Sequence, residues 1–105
     1  MNVLFVCSKN RWRSRTAETI FKDNQDHDFR SAGTESDARI KVNEKLISWA
    51  DLIFVMEKRH KQRLLDRFDH LLNDKKIVIL EIEDNYQYMD EELIDTLRIS
   101  VNPYL

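Results

Sequence analysis

Cys7 and Arg13 bracket the stretch Cys7-Ser8-Lys9-Asn10-Arg11-Trp12-Arg13-Ser14, in a chain with one cysteine. Only five residues lie between the thiol and the guanidinium. A loop this short can wrap one tetrahedral oxyanion, with backbone N–H groups aimed inward and a helix dipole behind them. Arg13 can grip two phosphate oxygens with its planar fork. Lys9, Arg11, Arg13 and Arg15 crowd residues 9–15 with no acid among them, and a phosphate or sulfate ion would relieve that repulsion. Cysteines at helix N-termini or beside arginine have pKa values lowered from about 8.5 to as little as ~3.5. The chemistry this allows is attack of sulfur on phosphorus, giving a phosphocysteine. A lone cysteine by itself reads as a small buried hydrophobe, and the Cys-to-Arg spacing alone is a weak signal. The elements on either side decide between the two readings.

Val3-Leu4-Phe5-Val6 is a continuous apolar run that suits a strand buried on both faces. Ala17, Ile20 and Phe21 follow at helical spacing, with Ser14 as the expected N-cap. Phe29 to Ala32 reads as a second strand closed by Gly33. Asn43 caps a helix carrying Leu46, Ile47 and Ala50. Leu52 to Met56 is a third strand, and Leu64, Leu65, Phe68, Leu71 and Leu72 form a helical stripe. Ile77 to Leu80 is the fourth strand, and Asp90 caps a last helix with Leu93, Ile94 and Leu97 inward and Arg98 in its final turn. Strands alternating with amphipathic helices predict an α/β fold, a four-stranded parallel sheet with helices on both faces. Ligands bind such sheets at the carboxyl edge, where strand order reverses. That edge collects Cys7 to Ser14, Gly33 to Ser36, the residues from Glu57 onward, and Glu81 to Tyr86. The only cysteine, the arginine-rich loop and an acidic segment thus share one rim.

Length and composition bound the rest. A chain of 105 residues forms one domain, residues 1–105, because two cores would each be too small. A single cysteine excludes an intrachain disulfide and a multi-cysteine zinc site. His27, His60 and His70 show no ligand spacing, so neither a metal nor a cofactor is expected. The absence of a ~20-residue apolar run, and of a basic leader after Met1, points to a cytoplasmic protein with no membrane contact. A net charge of −2 argues against a nucleic-acid partner. One glycine excludes dinucleotide and Walker-type loops and leaves φ > 0 turns to Asn10, Asn24, Asn73-Asp74 and Asn85.

The sequence resembles the low-molecular-weight protein tyrosine phosphatases, whose signature is a C-x5-R-S loop with an internal asparagine between the first strand and first helix. Cys7, Asn10, Arg13 and Ser14 match it. The likeness continues through Ala17-Glu18, Phe21, Ser31-Ala32-Gly33-Thr34 and Ala50-Asp51-Leu52-Ile53 to Asp84. It implies a four-stranded parallel sheet and roles residue by residue. Cys7 would be the nucleophile, and Arg13 would bind phosphate and stabilise the transition state. Ser14 would donate to the departing thiolate, and Asn10 would hold the loop's φ > 0 bend. The remaining loop residues, Ser8, Lys9, Arg11 and Trp12, would surround the substrate. The sequence departs from the pattern at Lys9 (usually glycine), Trp12 (often a second cysteine), Arg15 (usually proline) and Asn85, where an Asp-Pro-Tyr segment would have proline. Members with the second cysteine can protect the nucleophile as a disulfide, and this chain has no residue to do so.

Cleaving a phosphate ester needs a proton for the leaving oxygen and then a base for water. The resemblance implies Asp84 for both, with Glu83 as a competitor one residue away. Tyr86 and Tyr88 could line the rim and stack on an aryl phosphate, or pack the loop onto the body. Trp12 is expected as a wall of the pocket, and Trp49 as core or half-core. His60, in the basic run Lys58 to Arg63, is expected on a solvated helix face. The function these features imply is a metal-independent protein tyrosine phosphatase acting on a phosphorylated protein or small aryl phosphate. Two alternatives stay open: an arsenate reductase coupled to an external small thiol, since no second cysteine can relay electrons, and a non-catalytic phosphate-binding module.

Overall fold

The computed structural model describes Met1–Leu105. Strands β1 (Asn2–Cys7), β2 (Asp28–Gly33), β3 (Leu52–Val55) and β4 (Lys76–Ile79) form a four-stranded sheet in the order β2-β1-β3-β4. Every pairing is parallel. Helices α1 (Arg13–Phe21), α2 (Glu44–Trp49), α3 (Lys58–Leu72) and α4 (Glu91–Val101) connect or follow the strands, and a 3-10 turn, Asn102–Tyr104, ends the chain. No helix is long and apolar enough to cross a membrane.

The pleat of β1 divides the core into two layers. Val3, Phe5 and Cys7 face a layer with Phe21 of α1 and Leu93, Leu97 and Val101 of α4. Leu4 and Val6 face the opposite layer, with Leu46 and Ile47 of α2 and Leu64, Phe68 and Leu72 of α3. Strands buried on both faces require apolar residues at successive positions, and β1 supplies them. Phe5 anchors the first layer by stacking on Phe21, Phe29 and Phe54 at centroid distances of 5.8, 6.0 and 5.5 Å. Offset stacks of this kind add about 0.5–1.5 kcal/mol each beyond the area they bury.

β1 is central, and the chain passes from β2 on one side of it to β3 on the other. The reversal opens a crevice between the carboxyl ends of β1 and β3, the position where open parallel sheets bind ligands. Cys7 ends β1, and Glu57 follows β3 at the start of α3.

The helix caps at Asn43 and Asp90 form as expected: Asn43 Oδ1 accepts from the Leu46 amide, and Asp90 Oδ1 from those of Glu92 and Leu93. Ser14 is not a cap. Trp12 occupies the N-cap position of α1 without a capping side chain, and Ser14 lies buried inside the first turn. Of the expected φ > 0 residues only Asn10 takes one (55°), and the other two in the chain are Glu81 (57°) and Met89 (63°). Asn24, Asn73, Asp74 and Asn85 keep negative φ. Gly33 has ordinary φ and serves a different purpose. A Cβ there would lie 2.6 Å from the Ser8 carbonyl oxygen and 2.9 Å from the Lys9 carbonyl carbon. The glycine lets the Cys7–Ser14 loop rest directly on β2.

Candidate active site

The loop leaving β1 turns back at Asn10, whose left-handed conformation suits asparagine better than most residues. The turn aims the Asn10 amide at the Cys7 sulfur, 3.2 Å away. The Asn10 side-chain amide donates to Ser14 Oγ at 2.7 Å, and Ser14 Oγ lies 2.9 Å from Cys7 Sγ. Once Cys7 is a thiolate it carries no hydrogen, so the Ser14 hydroxyl must be the donor of that pair. The thiolate then accepts two hydrogen bonds, from the Asn10 amide and the Ser14 hydroxyl. The remaining amides of the loop, from Ser8, Lys9, Arg11, Trp12, Arg13 and Ser14, have no acceptor anywhere in the protein. Buried or half-buried amides without partners are rare, and a run of them at a helix N-terminus forms a nest for an anion.

Arg13 is 1% exposed, which is exceptional for an arginine. Its Nη1 donates to Glu57 Oε1 at 2.5 Å and to the Ile82 carbonyl at 2.8 Å. Its Nε lies 3.5 Å from Asp84 Oδ1. These partners come from the ends of β3 and β4, so the sheet's carboxyl edge fixes the guanidinium beside Cys7. The Ile82 carbonyl reaches Arg13 because Glu81, held between the Leu80 and Ile82 ladder bonds to Val55 and Met56, turns the chain through φ 57°. A non-glycine residue in this conformation costs about 1–2 kcal/mol, and here the bend serves the site.

A pocket of about 210 Å³ opens over the loop, lined by Cys7, Ser8, Lys9, Arg11, Trp12, Arg13 and Asp84. The expected nucleophile, arginine and acid therefore meet in one cavity. Asp84 lines it, whereas Glu83 does not and instead accepts from the Asn85 side chain at 3.0 Å. Trp12 is half-exposed at the wall, as expected. Asn10 and Ser14 are fully buried beneath the loop and act on the sulfur. Tyr86 does not line the pocket: its ring packs on the α1/α4 layer and its hydroxyl faces Glu92. Tyr88 donates to or accepts from Thr19 at 2.8 Å, and Arg15 lies over its ring. The acidic segment is apolar enough at these tyrosines to fold back on the body, which removes them as pocket walls. Trp49 is half-buried, with the Arg30 guanidinium over its ring.

His60 departs most from the sequence expectation. It is 1% exposed and touches the loop. Its Nδ1 accepts from the Glu57 amide at 3.0 Å, which requires the proton to sit on Nε2. Nε2 then donates to Ser8 Oγ at 2.9 Å. Burial, then Arg13 and Arg59, push the imidazole down to about 4, with Glu57 opposing. His60 is therefore neutral across the physiological range. Glu57, which the sequence places on the rim without a role, holds both Arg13 and Arg59. Burial raises its carboxyl, but the hydrogen bonds from Arg59 and Arg13 outweigh that and leave it below the ordinary range. One signal for His60 was available: it lies four residues before Leu64, in register with Phe68 and Leu72 on the buried stripe of α3.

This fold is the low-molecular-weight phosphatase fold. The chain superimposes on a YwlE mutant from Bacillus subtilis with a TM-score of 0.72 and 23% identity, covering 100% of this chain and 99% of that one. A low-molecular-weight protein tyrosine phosphatase from T. tengcongensis gives a TM-score of 0.73 at 23% identity, over 97% and 93% of the two chains. DARP, a Drosophila arginine phosphatase, gives 0.69 at 21% identity, over 96% and 90%. No family model and no curated protein matches the chain.

Proposed function

We propose that the chain is a cysteine-dependent phosphatase that hydrolyses phosphomonoesters through a phosphocysteine on Cys7. One observation carries this reading: the loop whose amides lack partners lines one pocket with a buried arginine and the only thiol. In the first step the Cys7 thiolate attacks phosphorus, the S–P bond forms, and the P–O bond to the leaving group breaks. Asp84, at the pocket wall, gives its proton to the departing oxygen. The loop amides and Arg13 hold the charge that spreads over the equatorial oxygens, the kind of preorganised stabilisation that dominates such reactions. In the second step Asp84 takes a proton from water, the water oxygen attacks phosphorus, and the S–P bond breaks. The Ser14 hydroxyl and the Asn10 amide receive the thiolate that leaves. Neither step needs a metal.

The substrate is a phosphorylated protein side chain or a small aryl phosphate, with phosphotyrosine favoured by the exposed indole of Trp12 beside the phosphate position. Structures of the same fold include an arginine phosphatase, so phosphoarginine is the competing side chain. Steady-state turnover of para-nitrophenyl phosphate by wild type and Cys7→Ser tests the mechanism. Activity that vanishes in Cys7→Ser, is blocked by vanadate and is indifferent to chelators supports it. A Cys7→Ser protein with full activity removes it. Turnover of phosphotyrosine and phosphoarginine side by side assigns the substrate.

A further inference from the structure

Three cations line the pocket, and two of them are already engaged. Lys9 Nζ lies 3.3 Å from Asp37 Oδ2, and Arg13 is shared among Glu57, the Ile82 carbonyl and Asp84. Arg39, beyond the lining, donates to the Asn10 carbonyl, and Arg15 rests on Tyr88. Arg11 alone among the lining cations has neither hydrogen-bond acceptor nor ion pair, and it is exposed at the mouth. It offers five N–H donors in a fixed fork that matches a carboxylate. The phosphate does not require it, since the loop amides and Arg13 already converge on that position.

We propose that Arg11 forms a second anion site at the pocket mouth, so that the preferred substrate is a phosphorylated peptide with a carboxylate side chain next to the phosphorylated residue. The inference rests on the phosphatase reading above and specifies its substrate. Adjacent residues of a peptide lie 3.8 Å apart at Cα, close enough for a neighbouring Asp or Glu to meet Arg11 while the phosphate fills the loop. Trp12, half-exposed next to Arg11, gives the intervening peptide an apolar surface to cover. Asp84 also lines the pocket and repels an acidic neighbour, and Asp37, which feels the Arg11 charge, is itself paired with Lys9, so the unpaired Arg11 guanidinium is the cation left to attract a carboxylate. An exposed ion pair of this kind is worth roughly two- to fivefold in affinity, and salt weakens it.

The test uses three phosphotyrosine peptides that differ only in the residues flanking the phosphotyrosine: Glu, Ala or Lys. kcat/KM is measured for wild type and Arg11→Gln at low and high salt. The affinity of each peptide for the Cys7→Ser protein is measured in parallel. The expected order is Glu above Ala above Lys in wild type, about two- to fivefold per step at low salt, compressed by salt and compressed again in Arg11→Gln. Equal values for the three peptides in wild type overturn the second anion site, as does a spacing between them in Arg11→Gln as wide as in wild type. If no peptide and no para-nitrophenyl phosphate is turned over while Cys7→Ser still ranks the peptides, hydrolysis falls and the anion site stands.

Discussion

Lowering the pH from 7 to 5 should remove roughly 2 kcal/mol of folding stability through His60 alone. In the folded protein burial keeps its imidazole neutral down to about 4, whereas in the unfolded chain it titrates near 6.5. The unfolded state therefore takes up the proton first. The contribution is complete above pH 6.5 and is lost as the pH falls toward 4, at about 1.4 kcal/mol per unit and about 3 kcal/mol in all. Burial sets the sign, and most of the charged groups facing the ring reinforce it. Arg13, Arg59 and Arg63 disfavour the imidazolium, and only Glu57 favours it. Protonation also places a hydrogen on Nδ1, which can then no longer accept from the Glu57 amide. Glu57 adds a separate dependence, because its depressed pKa gives stability that is lost only below its ordinary value of 4.5. The window from 6.5 to 4.5 thus belongs to His60. Urea unfolding at pH 7, 6 and 5 of wild type and His60→Gln isolates it. Wild type should lose roughly 2 kcal/mol more than the variant between pH 7 and 5. Equal pH slopes in the two proteins would show that the buried, neutral imidazole is wrong. An NMR titration of the imidazole in wild type gives the same answer if the variant does not fold.

The other expectations concern the loop and its acid. Gly33→Ala forces a methyl group against backbone atoms of Ser8 and Lys9. It should destabilise by about 1–3 kcal/mol and weaken phosphate binding, measured by thermal melts with and without phosphate. Glu57→Gln leaves the buried Arg13 with a weaker partner. Part of the Glu57 side chain meets water, so the loss should be about 1–3 kcal/mol rather than the 3–5 of a fully buried pair, and kcat/KM should fall by at least about tenfold. Asp84→Asn should lower turnover of alkyl and phenyl phosphates by about 10²–10⁴ while leaving phosphate affinity intact. Glu83→Gln should stay within about twofold of wild type in the same assay.

The strands were legible because both faces of the sheet are covered, which demands apolar runs such as Val3 to Val6 and Leu52 to Val55 that alternating strands would not show. The caps at Asn43 and Asp90 were legible because side-chain capping is local chemistry. The Cys7-to-Arg13 loop was legible for the same reason: the spacing and the flanking strand and helix are both written in consecutive residues. What escaped depends on contacts between distant segments. His60 sits among Lys58, Arg59, Lys61 and Arg63, and that charge outweighed its register with Leu64. Glu57 earns a role only once β3 is placed next to β1, beside Arg13. The left-handed turns at Glu81 and Met89 are imposed by ladder and loop bonds on either side, so residue type gave no warning. Tyr86 was expected at the pocket and lies instead on the core, because an aromatic ring near an apolar layer gains more from burial than from the rim.

Both ends of the proposed anion cup hang from one turn of α3: Glu57 holds Arg13, and His60 holds Ser8. Tightening or slackening that turn moves the two ends together, as one drawstring closes a whole purse. Occupation of the cup should accordingly slow amide hydrogen exchange at the start of α3, a stretch of chain that does not line the pocket. The helix is in that sense an outside reporter of whether the cup is full.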